Sequence, residues 1–243
     1  MSLIKVLPCT LEDVPEISRI HLQAWLTNTL YSLMYFKGYQ QSTIDAIIKR
    51  HTKSMTKDPS TRYLKAVREN DLNTMLAFAK INIFRSASEE EERQDARDRQ
   101  WPADINRSAI EEFWEKLKDV RNTWGPRLGA HVQVDLVACD PQYFRQGAGR
   151  ALMQYIERVT DEEGLPGFIE ASPDGEKLYA SVGFEFVGQF WTDCERFPGG
   201  GDKGADWRAR EGRETEEGIG KGWIEMFNPQ LLEKKRKTSV MMY

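Results

Sequence analysis

"LVACDPQYFRQGAGRALMQYIERV", Leu136–Val159, passes from an apolar run through a loop with two glycines into helical spacing. The apolar half belongs to "HVQVDLVACD" (His131–Asp140), whose near-continuous hydrophobicity predicts a strand buried on both faces. Between strand and helix lies Pro141–Gly149. At such a junction the first helical N–H groups have no partner inside the helix, and the helix dipole leaves partial positive charge there. Gly147 and Gly149 lack a Cβ, so a ligand can approach the main chain, and Arg145 and Arg150 add donors and charge. Together these predict a phosphate or pyrophosphate site, against the plainer alternative of a glycine turn ahead of a core helix. Two common phosphate loops are excluded by spacing. A dinucleotide fingerprint needs its glycines directly at the strand end and a third Gly or Ala where Leu152 stands. A P-loop ends in GK[ST], and "GAGRAL" has neither Lys nor Ser/Thr there.

Upstream, "LIKVLP" (Leu3–Pro8) alternates as a strand. Thr10 is placed as an N-cap, with Glu12 and Asp13 well sited for the dipole. Val14, Ile17, His21 and Trp25 then mark a helix over Leu11–Trp25. "STIDAIIKRHTKSM" (Ser42–Met55) is a second helix, capped by Ser42 or Thr43. "RYLKAVREN" and "TMLAFAKINIFR" form a hairpin with a turn at Glu69–Asn73. Residues 86–104 are dense in charge and read as a surface insertion. "SAIEEFWEKLKDVRNTW" (Ser108–Trp124) is an amphipathic helix carrying Ile110, Phe113, Trp114 and Leu117.

Downstream, the glycine-loop helix runs to about Glu163, and "LPGFIEAS" (Leu165–Ser172) is a strand. "DGEKLYASVG" is a short helix ending at Gly183, and "FEFVGQFW" a strand. Residues 198–221 form a Gly-rich loop, "GWIEMF" a last strand, and 229–243 a basic tail. The order predicts one mixed α/β domain over 1–243 around a long central sheet, not a run of βαβ units.

Composition limits the function. A formal charge of −4 lacks the basic field of a nucleic-acid or membrane-surface protein. Cys9, Cys139 and Cys194 are odd in number and far apart, with no CxxC, which points to neither a disulfide framework nor a zinc site. The expected location is cytosol or nucleus.

"DPQYFRQGAGRAL", with Pro141, Tyr143, Gly147 and Gly149 in register, resembles the hallmark of the GNAT superfamily of N-acetyltransferases. "GLPGFIEASPDGEKLYASVGF" resembles the following family block, most like its fungal-type branch. The resemblance is specific over Val134–Gly188, about a quarter of the chain. Two departures stand out: Phe144 replaces the hallmark Gln or Arg, and Ser172 replaces a frequent Asn. The resemblance implies an acyl-CoA N-acyltransferase fold: a mixed, mostly antiparallel central sheet flanked by helices. Its fourth and fifth strands, His131–Asp140 and Leu165–Ser172, would splay apart.

Acetyl-CoA would lie in that cleft as cosubstrate, without a metal. Its pantetheine would pair with Val137, Ala138 and Cys139. Its pyrophosphate would sit on the amides of Arg145, Gln146, Gly147, Ala148, Gly149 and Arg150, with Ser172 and Tyr179 nearby. An amine would attack the thioester directly, with Tyr179 giving a proton to the leaving thiolate. A thiol role for Cys139 is not expected, since the family transfers directly.

The base is left open between Asp135, Glu170 and a water chain. Asp135 shares strand parity with Val137 and Cys139, and burial would raise its pKa; either carboxylate alternatively pairs with an Arg. His21 is expected to be an interface residue, His51 to be exposed, and His131 to begin its strand. The acceptor side would be built from Trp25–Tyr39 and 198–221. A small-molecule primary amine is the expected acceptor for a monomer or homodimer, with no nucleic-acid or membrane partner. The alternatives are a protein Lys or N-terminus, and a non-catalytic acyl-CoA binder.

Overall fold

The computed structural model describes residues 3–89, 101–172, 175–190, 192–198, 221–222 and 239–242. Strand β1 (Ile4–Pro8) leads into a 3-10 turn, Leu11–Asp13, and helix α1 (Val14–Trp25). Thr10 and Asp13 form a reciprocal capping box that ties down the first unpaired amides. Helix α2 (Thr29–Met34) was not expected; Asn28 caps it by accepting from the Leu30 and Tyr31 amides. Helix α3 (Gln41–Lys57) starts before the expected cap, because Ser42 spends its hydroxyl on Asp104 at 2.7 Å.

The hairpin β2 (Thr61–Arg68) and β3 (Asp71–Phe84) follows, then α4 (Arg107–Leu128), capped by Asn106. Next come β4 (His131–Cys139), α5 (Ala148–Glu163), β5 (Gly167–Glu170), α6 (Glu176–Ala180) and β6 (Phe184–Gly188).

Strands β1 to β4 pair antiparallel in chain order, and β5 joins β4 in parallel. The expected last strand at "GWIEMF" falls mostly outside the described residues. Its Gly222 alone is described, in β8 (Lys221–Gly222), which pairs with β7 (Thr192–Asp193) in a separate ribbon. The large sheet is extended instead by β9 (Ser239–Met242), which runs parallel to both β5 and β6 between them. The tail is therefore not only a basic extension. Its last residues, "SVMM", form a short apolar strand that "KKRK" conceals from a composition-based reading. Residues 90–100 of the charged insertion and 199–220 of the Gly-rich loop lie outside the described residues.

Helix α5 covers one face of the sheet. Leu152, Met153 and Ile156 pack there on Val132, Val134, Leu76 and Ile81. On the other face Ile17 and Ile20 of α1 pack on Tyr63, Phe78 and Ala138. Helices α2, α3 and α4 enclose a second core around Leu33, Met34, Ile47, Ile110 and Phe113. Burying a side chain of this size contributes about 1.5–3 kcal/mol, so the sheet is held firmly from both faces.

Candidate active site

Strands β4 and β5 pair over three rungs only: Val132 with Gly167, Gln133 with Phe168, and Val134 with Ile169. β4 continues to Cys139, held on its other edge by β3. From Asp135 onward, then, β4 has no β5 partner, and the sheet opens. The register with β3 slips at the same place: Lys80 faces Leu136 while Ile81 faces Val134. Asp135 is the extra residue of a β-bulge, which reverses the parity of everything after it. Val132 and Val134 therefore share the α5 face with Val137 and Cys139, while Leu136 and Ala138 face α1. The expectation that Asp135 shares a face with Val137 and Cys139 fails for this reason.

Asp135 turns instead toward the helical layer. Lys80 Nζ donates to its Oδ2 at 2.7 Å, and Arg121 Nη2 to its Oδ1 at 3.2 Å. The same guanidinium holds Glu170: Arg121 Nε donates to Oε1, and Nη2 to Oε2 at 2.7 Å. Gln133 Nε2 adds a bond to Glu170 Oε2 at 3.1 Å. One α4 side chain thus grips the first residue beyond the last rung on each strand. Arg121 is the functional residue that the sequence reading missed. Its signal was there: a charge at a core position between Leu117 and Trp124 on α4, and similarly Lys80 inside "LAFAKINIF".

At the open end, Asp140 fixes the loop. It is buried, pairs with Arg19 of α1, and accepts from the Gln142 amide at 2.9 Å. Arg68 lies 5.0 Å over the Tyr143 ring and donates to Gln146 Oε1 at 2.8 Å. Arg145 has φ +61 and Gly147 φ +90, so the chain doubles back and presents successive N–H groups at the start of α5. Among the described residues, no hydrogen bond takes the amides of Arg145, Gln146, Gly147, Ala148 or Arg150.

Gly149 differs, because its amide donates to the Cys139 thiol. A Cβ at Gly149 would stand 3.3 Å from Cys139 Sγ and 3.3 Å from Leu178 Cδ2. Its glycine is therefore set by packing, and that of Gly147 by a left-handed φ, rather than by ligand approach alone. Burial pushes the Cys139 thiol up to about 11, which leaves it protonated and unsuited to attack.

Tyr179, on α6, is 7% exposed, and its ring lies directly over Gly175, where a Cβ would meet Cε2 at 2.3 Å. Burial, then the charge of Cys139, raises the phenol above its ordinary value. Ser172 is exposed and uses its carbonyl to accept from the Gly175 amide at 2.9 Å. Phe144, in the hallmark Gln/Arg position, is 45% exposed at the mouth.

A cavity of about 1340 Å³ runs from this mouth into the helical layer. Cys139, Arg145, Ser172 and Tyr179 line one end; Asp135 and Glu170 line it where the strands part. Trp25, Tyr31 and Phe113 form an aromatic wall, the first two rings 3.9 Å apart. His21 and His51 lie behind it, both buried. His21 Nδ1 is 2.9 Å from His51 Nε2, and His51 Nδ1 is 2.7 Å from the Tyr63 hydroxyl. His51 is 4% exposed, against the expectation of exposure, because it fills the α3–β2 contact. Burial, with the charges of Arg50 and Lys80, pushes His21 down to about 3; burial, then His21, lowers His51 well below its ordinary value.

A sheet that opens between β4 and β5 beside a helix-start amide cradle is the acyl-CoA N-acyltransferase fold. The chain matches no curated protein in sequence. The family model for the acetyltransferase (GNAT) domain matches residues 126–192, the segment that holds β4, the loop, α5, β5, α6 and β6. Among solved structures, the chain is similar to one described as histone acetyltransferase HPA2 and related acetyltransferase from Corynebacterium glutamicum. Identity is 16%, coverage is 78% of this chain and 88% of that one, and the TM-score is 0.50. It is also similar to a mosquito arylalkylamine N-acetyltransferase like 5b, at 16% identity over 77% and 86% of the two chains, with a TM-score of 0.51. Residues 126–192 thus match an acetyltransferase (GNAT) domain model, and the chain has the fold of these acetyltransferase structures.

Proposed function

We propose that the chain transfers the acetyl group of acetyl-CoA directly to a primary amine of a small molecule. One observation carries this reading. The opening between β4 and β5 leads from the free amides, past Tyr179, to an aromatic wall, all within one cavity of about 1340 Å³. Small-molecule pockets run to about 300–1,000 Å³, so this cavity has room for a cofactor arm and a small acceptor together.

In this reading the amides of Arg145–Ala148 and Arg150 hold the diphosphate, with Arg145 and Arg150 adding charge. The unpaired edge of β4 at Val137, Ala138 and Cys139 receives the pantetheine arm. Acetyl-CoA supplies an activated acyl thioester. The Tyr179 phenol, protonated across the neutral range, donates its proton as the thiolate leaves. Asp135 and Glu170 have every oxygen committed to Lys80, Arg121 or Gln133, so we assign them to holding the strands apart. The amine then loses its proton to water in the cavity. Residues 1–243 act as one domain. Free-thiol release from acetyl-CoA across a panel of small amines tests the proposal. Turnover with at least one class is expected, and binding of acetyl-CoA without thiol release from any amine overturns it.

A further inference from the structure

Cations outnumber carboxylates along the cavity: Arg50, Lys53, Lys57, Arg62, Lys80, Arg85, Arg121 and Arg145 line it, against Asp58, Glu89, Asp135 and Glu170. Lys80 and Arg121 are committed to Asp135 and Glu170, and Arg85 is paired with Glu163 at 2.7 Å. Arg50, Lys53 and Lys57 of α3 line the same cavity, as does Arg62 of β2, and none of the four has a carboxylate within ion-pair distance among the described residues. The three on α3 recur at i, i+3 and i+7, which puts them on one stripe of the helix.

Their position separates them from the cofactor end. His51 is hydrogen-bonded to Tyr63, which is opposite Lys80, itself opposite Leu136 in the middle of β4. Lys57 precedes Thr61, which is opposite Asn82, itself opposite Gln133. The stripe therefore runs from the middle of β4 toward its N-terminal end, away from Cys139 and the loop. Arg50 is half-buried, and its guanidinium stands 5.8 Å over the Trp101 ring. Its charge contributes to the depression of both His21 and His51, so its field reaches the cavity interior. A cavity wall on which cations outnumber carboxylates raises the local concentration of anions.

We propose that the acceptor is an amine bearing an anionic group, a carboxylate, phosphate or sulfate, on an apolar or aromatic body. The anion lies on Arg50, Lys53 and Lys57 and the amine lies toward Tyr179. This inference rests on the proposed acetyl transfer. It is tested with 2-phenylethylamine and the same amine carrying a ring carboxylate, phosphate ester or sulfate ester, at low and high salt.

At low salt the expected kcat/KM for the anionic amines is at least ten-fold above the neutral one, with the ratio shrinking as salt rises. The triple variant Arg50→Gln, Lys53→Gln, Lys57→Gln is expected to erase the ratio while keeping the neutral-amine rate. A neutral amine used as well as its anionic partners overturns this inference and leaves acetyl transfer standing. If no amine is turned over, acetyl transfer fails, and equilibrium binding to the CoA-loaded protein decides the remaining point. Tighter binding of the anionic amines, lost in the triple variant, supports the anion site; equal binding removes it.

Discussion

The buried His21–His51 pair makes the fold acid-sensitive in a window shared with His131, which burial also lowers. His21 titrates near 3 in the folded chain and near 6.5 when unfolded. A group lowered in this way contributes its full stability above about pH 6.5, and loses it as pH falls toward 3. Between pH 7 and 5 the unfolded chain takes up the proton while the folded chain does not. At about 1.4 kcal/mol per pH unit, this removes about 2 kcal/mol for His21 alone. His51 is shifted in the same direction and adds to the loss. Ordinary carboxylates titrate near 4, so the window isolates the histidines. The assay is the urea midpoint at pH 7, 6 and 5. Wild type is expected to weaken steadily, and the double variant His21→Gln, His51→Gln to show a flatter profile. A wild-type midpoint that is unchanged or higher at pH 5 would refute the reasoning.

Tyr179→Phe is expected to lower kcat more than ten-fold while acetyl-CoA affinity stays near wild type; an unchanged kcat removes the phenol as proton donor. Arg121→Met leaves Glu170 without its cation where the strands part, while Asp135 keeps Lys80, and should cost about 3–5 kcal/mol by chemical denaturation, with Arg121→Lys recovering part. A loss below about 1 kcal/mol would contradict the clamp. Glu170→Gln should leave the acid limb of the pH–rate profile in place, since the amine's proton goes to water, whereas a vanished limb would make Glu170 the base. Gly147→Ala places a side chain at φ +90 and should cost about 1–2 kcal/mol, measured by the thermal midpoint; no change would show that the loop relaxes freely.

Much of this architecture was legible because it is written in periodicity and punctuation. The α1 stripe, the β2–β3 hairpin and the apolar run of β4 each carry a local signal that tertiary packing did not override. The glycine loop was legible for similar reasons, with Gly147 taking the left-handed φ that only glycine adopts cheaply.

What escaped was non-local. The bulge at Asp135 depends on the register with β3, so no reading of β4 by itself could place that carboxylate. Arg121 and Lys80 are buried cations whose partners lie 14 to 55 residues away in sequence. Their presence at core positions was visible, but their shared target was not. His51 reads as surface because its neighbours Arg50, Thr52 and Lys53 are polar, yet the ring itself turns toward Tyr63. Gly149 looked like a ligand-facing glycine, and packing on Cys139 and Leu178 accounts for it.

A crystal structure of the acetyl-CoA complex tests the central claim most directly. The diphosphate is predicted within hydrogen-bond distance of the Arg145, Gln146, Gly147, Ala148 and Arg150 amides, with the thioester between β4 and β5 near Tyr179. A diphosphate bound elsewhere, or a cofactor arm that does not enter the gap beyond Val134 and Ile169, would contradict it.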